Sequence, residues 1–324
     1  MTGQDHTDTA TATDGAATRA PVRFGLVGTG HWAAEVHAAG VATHPDAVLA
    51  GVWGRDAGKA ASLAARYGTV SHEDLDDLLQ DVDAVVFSVP PDVQADLAVR
   101  AADAGRHLLL EKPVALGLTE ARRVERAVTR AGVASVVFFT ERFVPEREAW
   151  LADRVAGGCR GGQATFLASL RTPGNPFAGS AWRQQHGALW DVGPHALSVL
   201  LPALGPVTAV TGARGADDLA HLVLGHASGA TSTVSLSLTM PPAAVRTGVD
   251  LYDDQGWWQR PDPSTETSGD VVTHHRRAVS ELVDCIRHGR VEHRCDVRFG
   301  TEVVRVLEQA ETVLGAATGR PERR

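Results

Sequence analysis

The sequence predicts an α/β protein in two parts: an N-terminal Rossmann parallel sheet, then a C-terminal α+β domain with a largely antiparallel open sheet. Three observations carry this. From residue 22 to about 139, short apolar runs alternate with amphipathic stretches of helical length, the pattern of successive β-α-β units. A glycine-rich turn, Gly28-Thr29-Gly30-His31-Trp32-Ala33, directly follows the first apolar run. Beyond Phe139 the helical stretches thin out and turn-linked strands take over. A chain of 324 residues has room for about two domains.

In order, residues 22–27 read as a strand, 32–41 as a helix and 48–53 as a second strand. A helix over 57–67 ends at Gly68, and a short one spans 75–79. Strand 84–89, helix 93–104 ended by Gly105, and strand 107–110 follow. Helix 118–131, ended by Gly132, leads to strand 133–139. The wholly apolar strands suit a sheet covered on both faces. In the second part, residues 163–170, 207–214, 221–225, 230–238 and 249–252 read as strands. The second half of 230–238 alternates small polar with apolar residues, as in a sheet with one wet face. Residues 189–201 form the clear helix of this part, and helices at 277–287 and 297–314 close the chain. Residues 259–269 read as a polar, mobile loop, and adjacent His274-His275 as a polar helix start. The expected division is a disordered tail over 1–20, a dinucleotide-binding domain over 21–136 and a substrate-binding domain over 137–324.

Composition narrows the function. The chain is 44% hydrophobic and 22% charged, with a net charge of -8 and no cluster of Lys or Arg. That argues against nucleic acid or an anionic membrane as partner. No apolar run reaches the ~20 residues of a membrane span, and residues 1–20 lack the basic start and apolar stretch of a signal peptide. Cys159, Cys285 and Cys295 lack C-x-x-C spacing, so reduced thiols in a soluble cytoplasmic protein are expected.

The turn Gly28–Ala33 fits G-x-G-x-x-[G/A] between a strand and a helix. Gly28 permits the tight turn, Gly30 lets the backbone approach a pyrophosphate, and Ala33 lets helix and strand touch. The helix start offers free N–H groups to the phosphates. At the end of the second strand, where an acid usually bonds the ribose 2′-hydroxyl, stands Gly54, followed by Arg55. A missing carboxylate and a guanidinium favour NADP over NAD. In the alternative reading Arg55 is a solvated residue at a helix start that Asp56 caps.

From Phe24 to about Leu314 the sequence resembles the Gfo/Idh/MocA family, the glucose–fructose oxidoreductase and inositol dehydrogenase group. The resemblance rests on the G-x-G-x-x-A turn, Glu111-Lys112-Pro113 and Phe139-Thr140-Glu141-Arg142-Phe143. It rests further on the run from Gly187 through Asp191-Val192-Gly193-Pro194-His195 and the closing Asp296-Val297-Arg298-Phe299-Gly300. It implies a catalytic set of Lys112, Asp191 and His195, and a cofactor lined also by Ser88, Val89, Pro90, Gln94 and Glu111. Arg142 and the Trp182-Arg183 pair would face the substrate, with a core position the alternative for Trp182. It further implies hydride exchange with a sugar, polyol or related hydroxy or oxo compound, and a homo-oligomer, dimer or tetramer, paired through the second domain. Two departures stand out: Gln94 replaces a His common near the nicotinamide, and Ser198 replaces an Asp that often follows the catalytic His. Redox-assisted elimination or glycoside hydrolysis, and a nucleotide-sensing regulator without chemistry, are the competing readings.

The residue types suit the implied roles. Lys112 ends a parallel strand, where open α/β sheets place ligands. A helix beginning near Asp191 would put Asp191 and His195, four apart, on one face. A free imidazole near pKa 6.5 suits proton transfer at neutral pH. In the plainer alternative Asp191 caps that helix and His195 is a satisfied buried histidine. No third ligand at suitable spacing accompanies them, so no metal is expected.

Overall fold

A computed structural model describes residues 19–170, 175, 179–262, 266–267 and 269–316. The expected tail over 1–20 therefore lies almost wholly outside the described residues, as does part of the 259–269 loop.

The first sheet comprises β1 (Val22–Val27), β2 (Ala47–Trp53), β3 (Val70–Ser71), β4 (Ala84–Phe87), β5 (His107–Leu110) and β6 (Ser135–Val137). All its pairings are parallel, in the order β3-β2-β1-β4-β5-β6. Helices α1 (Ala38–Ala42), α2 (Ala57–Arg66), α3 (Leu75–Gln80), α4 (Pro91–Asp103) and α5 (Leu118–Ala131) connect the strands. Every residue of β4 is buried, as a sheet covered on both faces requires. Strand order reverses its direction across the sheet between β1 and β4, and such a switch point opens a crevice at the carboxyl ends of the strands. The expected helix over 32–41 divides: Ala33–His37 is a π-turn, followed by α-helix over Ala38–Ala42.

The second sheet is mixed, in the order β12-β11-β7-β10-β9-β8. Its strands are β7 (Gly161–Leu167), β8 (Val207–Arg214), β9 (Ala220–His226), β10 (Thr231–Ser237), β11 (Arg246–Asp253) and β12 (Gly256–Gln259). Only β7 and β10 pair parallel. In β9 and β10, buried Leu222, Leu224, Val234 and Leu236 alternate with exposed His221, Val223, Thr231 and Thr233. One face is thus covered, chiefly by α8 (Gly193–Leu204) and α10 (Val297–Ala316), and the other is open.

Sequence periodicity missed α6 (Pro145–Gly157), whose only buried residue is Leu151, so it lacks a full apolar stripe. It also missed most of α7 (Ala181–Asp191), which is broken at Gly187 (φ 64°). Helix α9 (Val271–Arg287) starts earlier than expected, capped by Asp270, whose carboxylate accepts the Thr273 N–H. His274 and His275 are therefore not a polar start but buried interior positions of α9, with His275 fully enclosed. Helix α9 packs on α1, β5 and β6, and α10 touches both α5 and β8, so the last two helices bind the sheets together. Among the described residues no helix is long and apolar enough to cross a membrane.

Candidate active site

At the β1–β4 switch, Gly28 has φ +126°, and a Cβ there would lie 2.2 Å from the Ser88 carbonyl oxygen, so only glycine fits. Gly30 has nothing within 4 Å of where its Cβ would stand. It borders a cavity of about 250 Å³ that reaches from Thr29 and Ser88-Val89-Pro90 to Gly54, Arg55 and Lys59. Ala33 is fully buried against the sheet, Trp32 half-buried and His31 exposed. A Cβ on Gly54 would stand 2.6 Å from the Thr29 methyl, which explains why no acid occupies that position. The next acid, Asp56, caps α2 by accepting the Lys59 N–H at 3.0 Å. Arg55 is exposed beside the cavity. An open glycine edge, a helix start and a cationic far end are what a dinucleotide pyrophosphate and ribose require, so the residues fit that cofactor. Lys59 went unnoticed in the sequence, and its spacing three residues from the capping Asp56 was the available signal.

Glu111-Lys112-Pro113 follows β5 and carries a cis Lys112–Pro113 bond. Gln94, on α4, clamps this turn from beneath. Its amide nitrogen donates to the carbonyls of Glu111 (2.8 Å), Pro113 and Val114 (both 3.2 Å), and its oxygen accepts the Glu111 N–H at 2.8 Å. Gln94 is fully buried, so it acts on the cofactor cleft through this turn. Glu111 Oε1 accepts from Trp32 Nε1 (2.9 Å) and bonds His37 Nε2 (2.8 Å), while Oε2 accepts the Lys112 N–H at 3.1 Å.

Lys112 crosses to the second part of the chain. Its Nζ donates to the Asp191 main-chain carbonyl at 2.7 Å and to Asp191 Oδ1 at 3.0 Å. The other Asp191 oxygen accepts from Arg183 Nε at 2.9 Å, and the Arg183 guanidinium lies 4.8 Å from the centre of the Trp182 ring. Asp191 ends α7 rather than starting α8, and Val192, not Asp191, precedes the first turn of α8 without a side-chain cap. The helix-capping alternative for Asp191 is thereby replaced by a carboxylate held between two cations. Burial raises its pKa, but Lys112 and Arg183 outweigh burial and hold it well below the usual carboxylate range.

His195 stands in the first turn of α8, its ring stacked on Phe166 of β7 at 6.0 Å. Its Nδ1 is buried without a hydrogen-bond partner among the described residues, while the residue as a whole keeps partial exposure. Burial and then the charge of Lys112 push its pKa down to about 3; Asp191 opposes this, and Arg147 and Arg260 add to it. The expectation of an ordinary imidazole near 6.5 therefore gives way to one that is neutral throughout the physiological range. Ser198 turns its hydroxyl back to the His195 carbonyl at 2.8 Å and serves the helix.

Arg142 is not brought to this cluster. It is buried, with Nε and Nη2 on Glu148 (2.7 and 3.0 Å) and Nη1 on the Ser198 carbonyl (3.1 Å). Arg147 and Arg260, which the sequence did not suggest, add their charge at His195. Arg147 joins Glu141 (2.6 Å) to Glu266 (2.5 and 2.9 Å), and Arg260 also reaches Glu141. Glu141 and Arg260 are 119 positions apart, which no local pattern reveals.

Comparison with known proteins agrees with this geometry. Residues 22–139 match the oxidoreductase family with an NAD-binding Rossmann fold, and residues 148–259 match the GFO/IDH/MocA C-terminal domain. Inositol 2-dehydrogenase of Rhizobium meliloti is 37% identical over 125 residues, 38% of this chain and 38% of that protein. D-glucoside 3-dehydrogenase of Escherichia coli is 30% identical over 203 residues, 59% of this chain and 56% of the relative. The matched stretch thus spans less than two thirds of either protein. The fold matches that of the WlbA dehydrogenase from Bordetella pertussis, solved with NADH and UDP-GlcNAcA. There the TM-score is 0.79 at 20% identity, covering 92% of this chain and 96% of that one. With both domain signatures present in order, the chain belongs to the Gfo/Idh/MocA oxidoreductase family.

Proposed function

We propose that the protein is a nicotinamide-dependent dehydrogenase or reductase acting on a CH–OH group of a sugar, polyol or related hydroxy or oxo compound. The observation that carries this is the contact of Lys112, at the carboxyl edge of the dinucleotide sheet, with Asp191, four residues before His195. The dinucleotide, when bound, supplies the hydride acceptor or donor. Lys112 hydrogen-bonds the reacting oxygen and stabilises negative charge on it. Asp191 holds Lys112 in place, while Arg183 keeps Asp191 ionised. His195 takes the hydroxyl proton in oxidation and returns it in reduction. An imidazole of such low proton affinity suffices, because the hydroxyl proton becomes strongly acidic as the carbinol C–H bond breaks. Asp191 is the neighbouring charge that favours the imidazolium. Trp182 and Arg183, tied to Asp191 through the Arg183 guanidinium, border the substrate, and relatives named for inositol and a glucoside support a sugar or polyol as its class.

NADP is the cofactor this chain favours, since Gly54 leaves no acid to repel a 2′-phosphate and Arg55 and Lys59 border the cavity. A panel of sugars and polyols, followed by nicotinamide absorbance with NADP and NAD, tests the reaction. Wild type turns over at least one of them with a net absorbance change, and Lys112→Ala loses roughly 10²–10³ in kcat. A Lys112→Ala enzyme of undiminished rate would remove Lys112 from the chemistry.

The open face of the second sheet supports pairing between copies of the chain. Thr211, Val223, Thr233 and Gln163 form one exposed row across β8, β9, β10 and β7. Light scattering should give a dimer or tetramer, and a monomer at working concentrations would refute the pairing.

A further inference from the structure

Trp32 and His37 bracket the π-turn, and both reach one atom, Glu111 Oε1, at 2.9 and 2.8 Å. In an α-helix, residues five apart point about 140° away from each other, so they cannot converge on one oxygen. The π-turn closes an i to i+5 bond, Ala38 N–H to Ala33 O, and returns the fifth residue above the first. The neighbouring helix holds this wider turn in place. Tyr67 donates its hydroxyl to the Ala34 carbonyl at 2.5 Å, and Arg66 grips Glu35 at 2.5 and 3.0 Å. His37 is fully buried, its ring 4.3 Å from that of His275. Gly40 makes this stack possible, because a Cβ there would stand 2.3 Å from His275 Nδ1.

Trp32 belongs to the dinucleotide turn, whereas Glu111 immediately precedes Lys112 and takes its N–H. One carboxylate thus joins the cofactor-binding turn to the lysine that crosses to Asp191. We propose that His37 is a positioning residue: by holding Glu111 beside Trp32, it couples occupancy of the dinucleotide turn to the placement of Lys112. This rests on the role proposed above for Lys112.

Hydrogen exchange at the Glu111, Lys112 and Val114 amides of the full chain, with and without saturating NADP, tests the coupling without any substrate. In wild type these amides gain protection on binding. In His37→Ala the gain is lost, and in His37→Gln, whose side-chain amide can stand where Nε2 stood, it returns. In turnover His37→Ala lowers kcat about tenfold, within the usual range of coupling between sites, while substrate KM and NADP Kd change less than about twofold. Trp32→Phe, which deletes the second donor to Oε1 and leaves a smaller aromatic ring in its place, loses the same gain and serves if His37→Ala does not fold. An undiminished gain of protection in His37→Ala or in Trp32→Phe overturns the coupling. The outcome is independent of the Lys112→Ala result, which bears on the catalytic assignment alone.

Discussion

The two walls of the cleft are built by different physics. On the dinucleotide side, position comes from backbone geometry: a positive-φ Gly28 wedged under Ser88, an open Gly30, and a turn whose carbonyls Gln94 gathers. On the opposite side, position comes from charge, with Asp191 strung between Lys112 and Arg183, while burial and then Lys112 depress His195. Backbone geometry recognises what every dinucleotide shares, so that wall tolerates change in the substrate. A buried ion pair is costly to desolvate and depends on each partner, so the second wall responds to whatever enters it. Changes on the first wall should therefore appear in cofactor affinity, and changes on the second in turnover.

Three measurements sharpen that contrast. The largest effect belongs to the second wall: His195→Ala lowers kcat by roughly 10²–10⁴-fold, with NADP affinity retained. Calorimetric Kd beside steady-state kinetics separates the two, and parallel losses in both would erase the distinction between the walls. On the first wall, Arg55→Ala should weaken NADP by roughly 10–150-fold, the range of a hydrogen-bonded charged group. NAD affinity and kcat at saturation should change little, and equal weakening of both cofactors would refute recognition of the 2′-phosphate. The smallest effect is on pH. Burial and Lys112 lower the pKa of His195 from 6.5 to about 3, so it stays neutral and able to accept a proton far into the acid range. The kcat/KM profile of the free enzyme should therefore run level through pH 6.5. A fall at that pH that His195→Ala abolishes would show an ordinary imidazole instead.

Much of this molecule is written locally. Strand β5 and helix α5 have the bounds that apolar runs and the terminating Gly132 predict, and the two-sheet architecture follows from the change of texture after Phe139. What escaped is what lacks a local signature. Helix α6 has one buried residue and hence no periodic stripe. His274 and His275 look polar in sequence, yet α9 turns them into the packed seam between α9 and α1. Gln94 and Arg142, expected as site residues through resemblance, are buried and hydrogen-bonded to the Lys112 turn and to α8.

By itself the sequence determined the fold class and the dinucleotide turn, because each rests on a pattern within a short stretch of chain; Lys112, Asp191 and His195 were expected as a set only through the family resemblance. Only the tertiary structure decided that Asp191 is a doubly held anion rather than a helix cap, and that burial and Lys112 keep the His195 imidazole neutral. It alone showed that Glu111 ties the cofactor turn to Lys112. Those properties arise from charges and rings brought together from distant positions in the chain, such as Trp32 with Glu111 and Lys112 with Asp191. Burial, which strengthens each of those interactions, is a property of the packed chain and of no single segment.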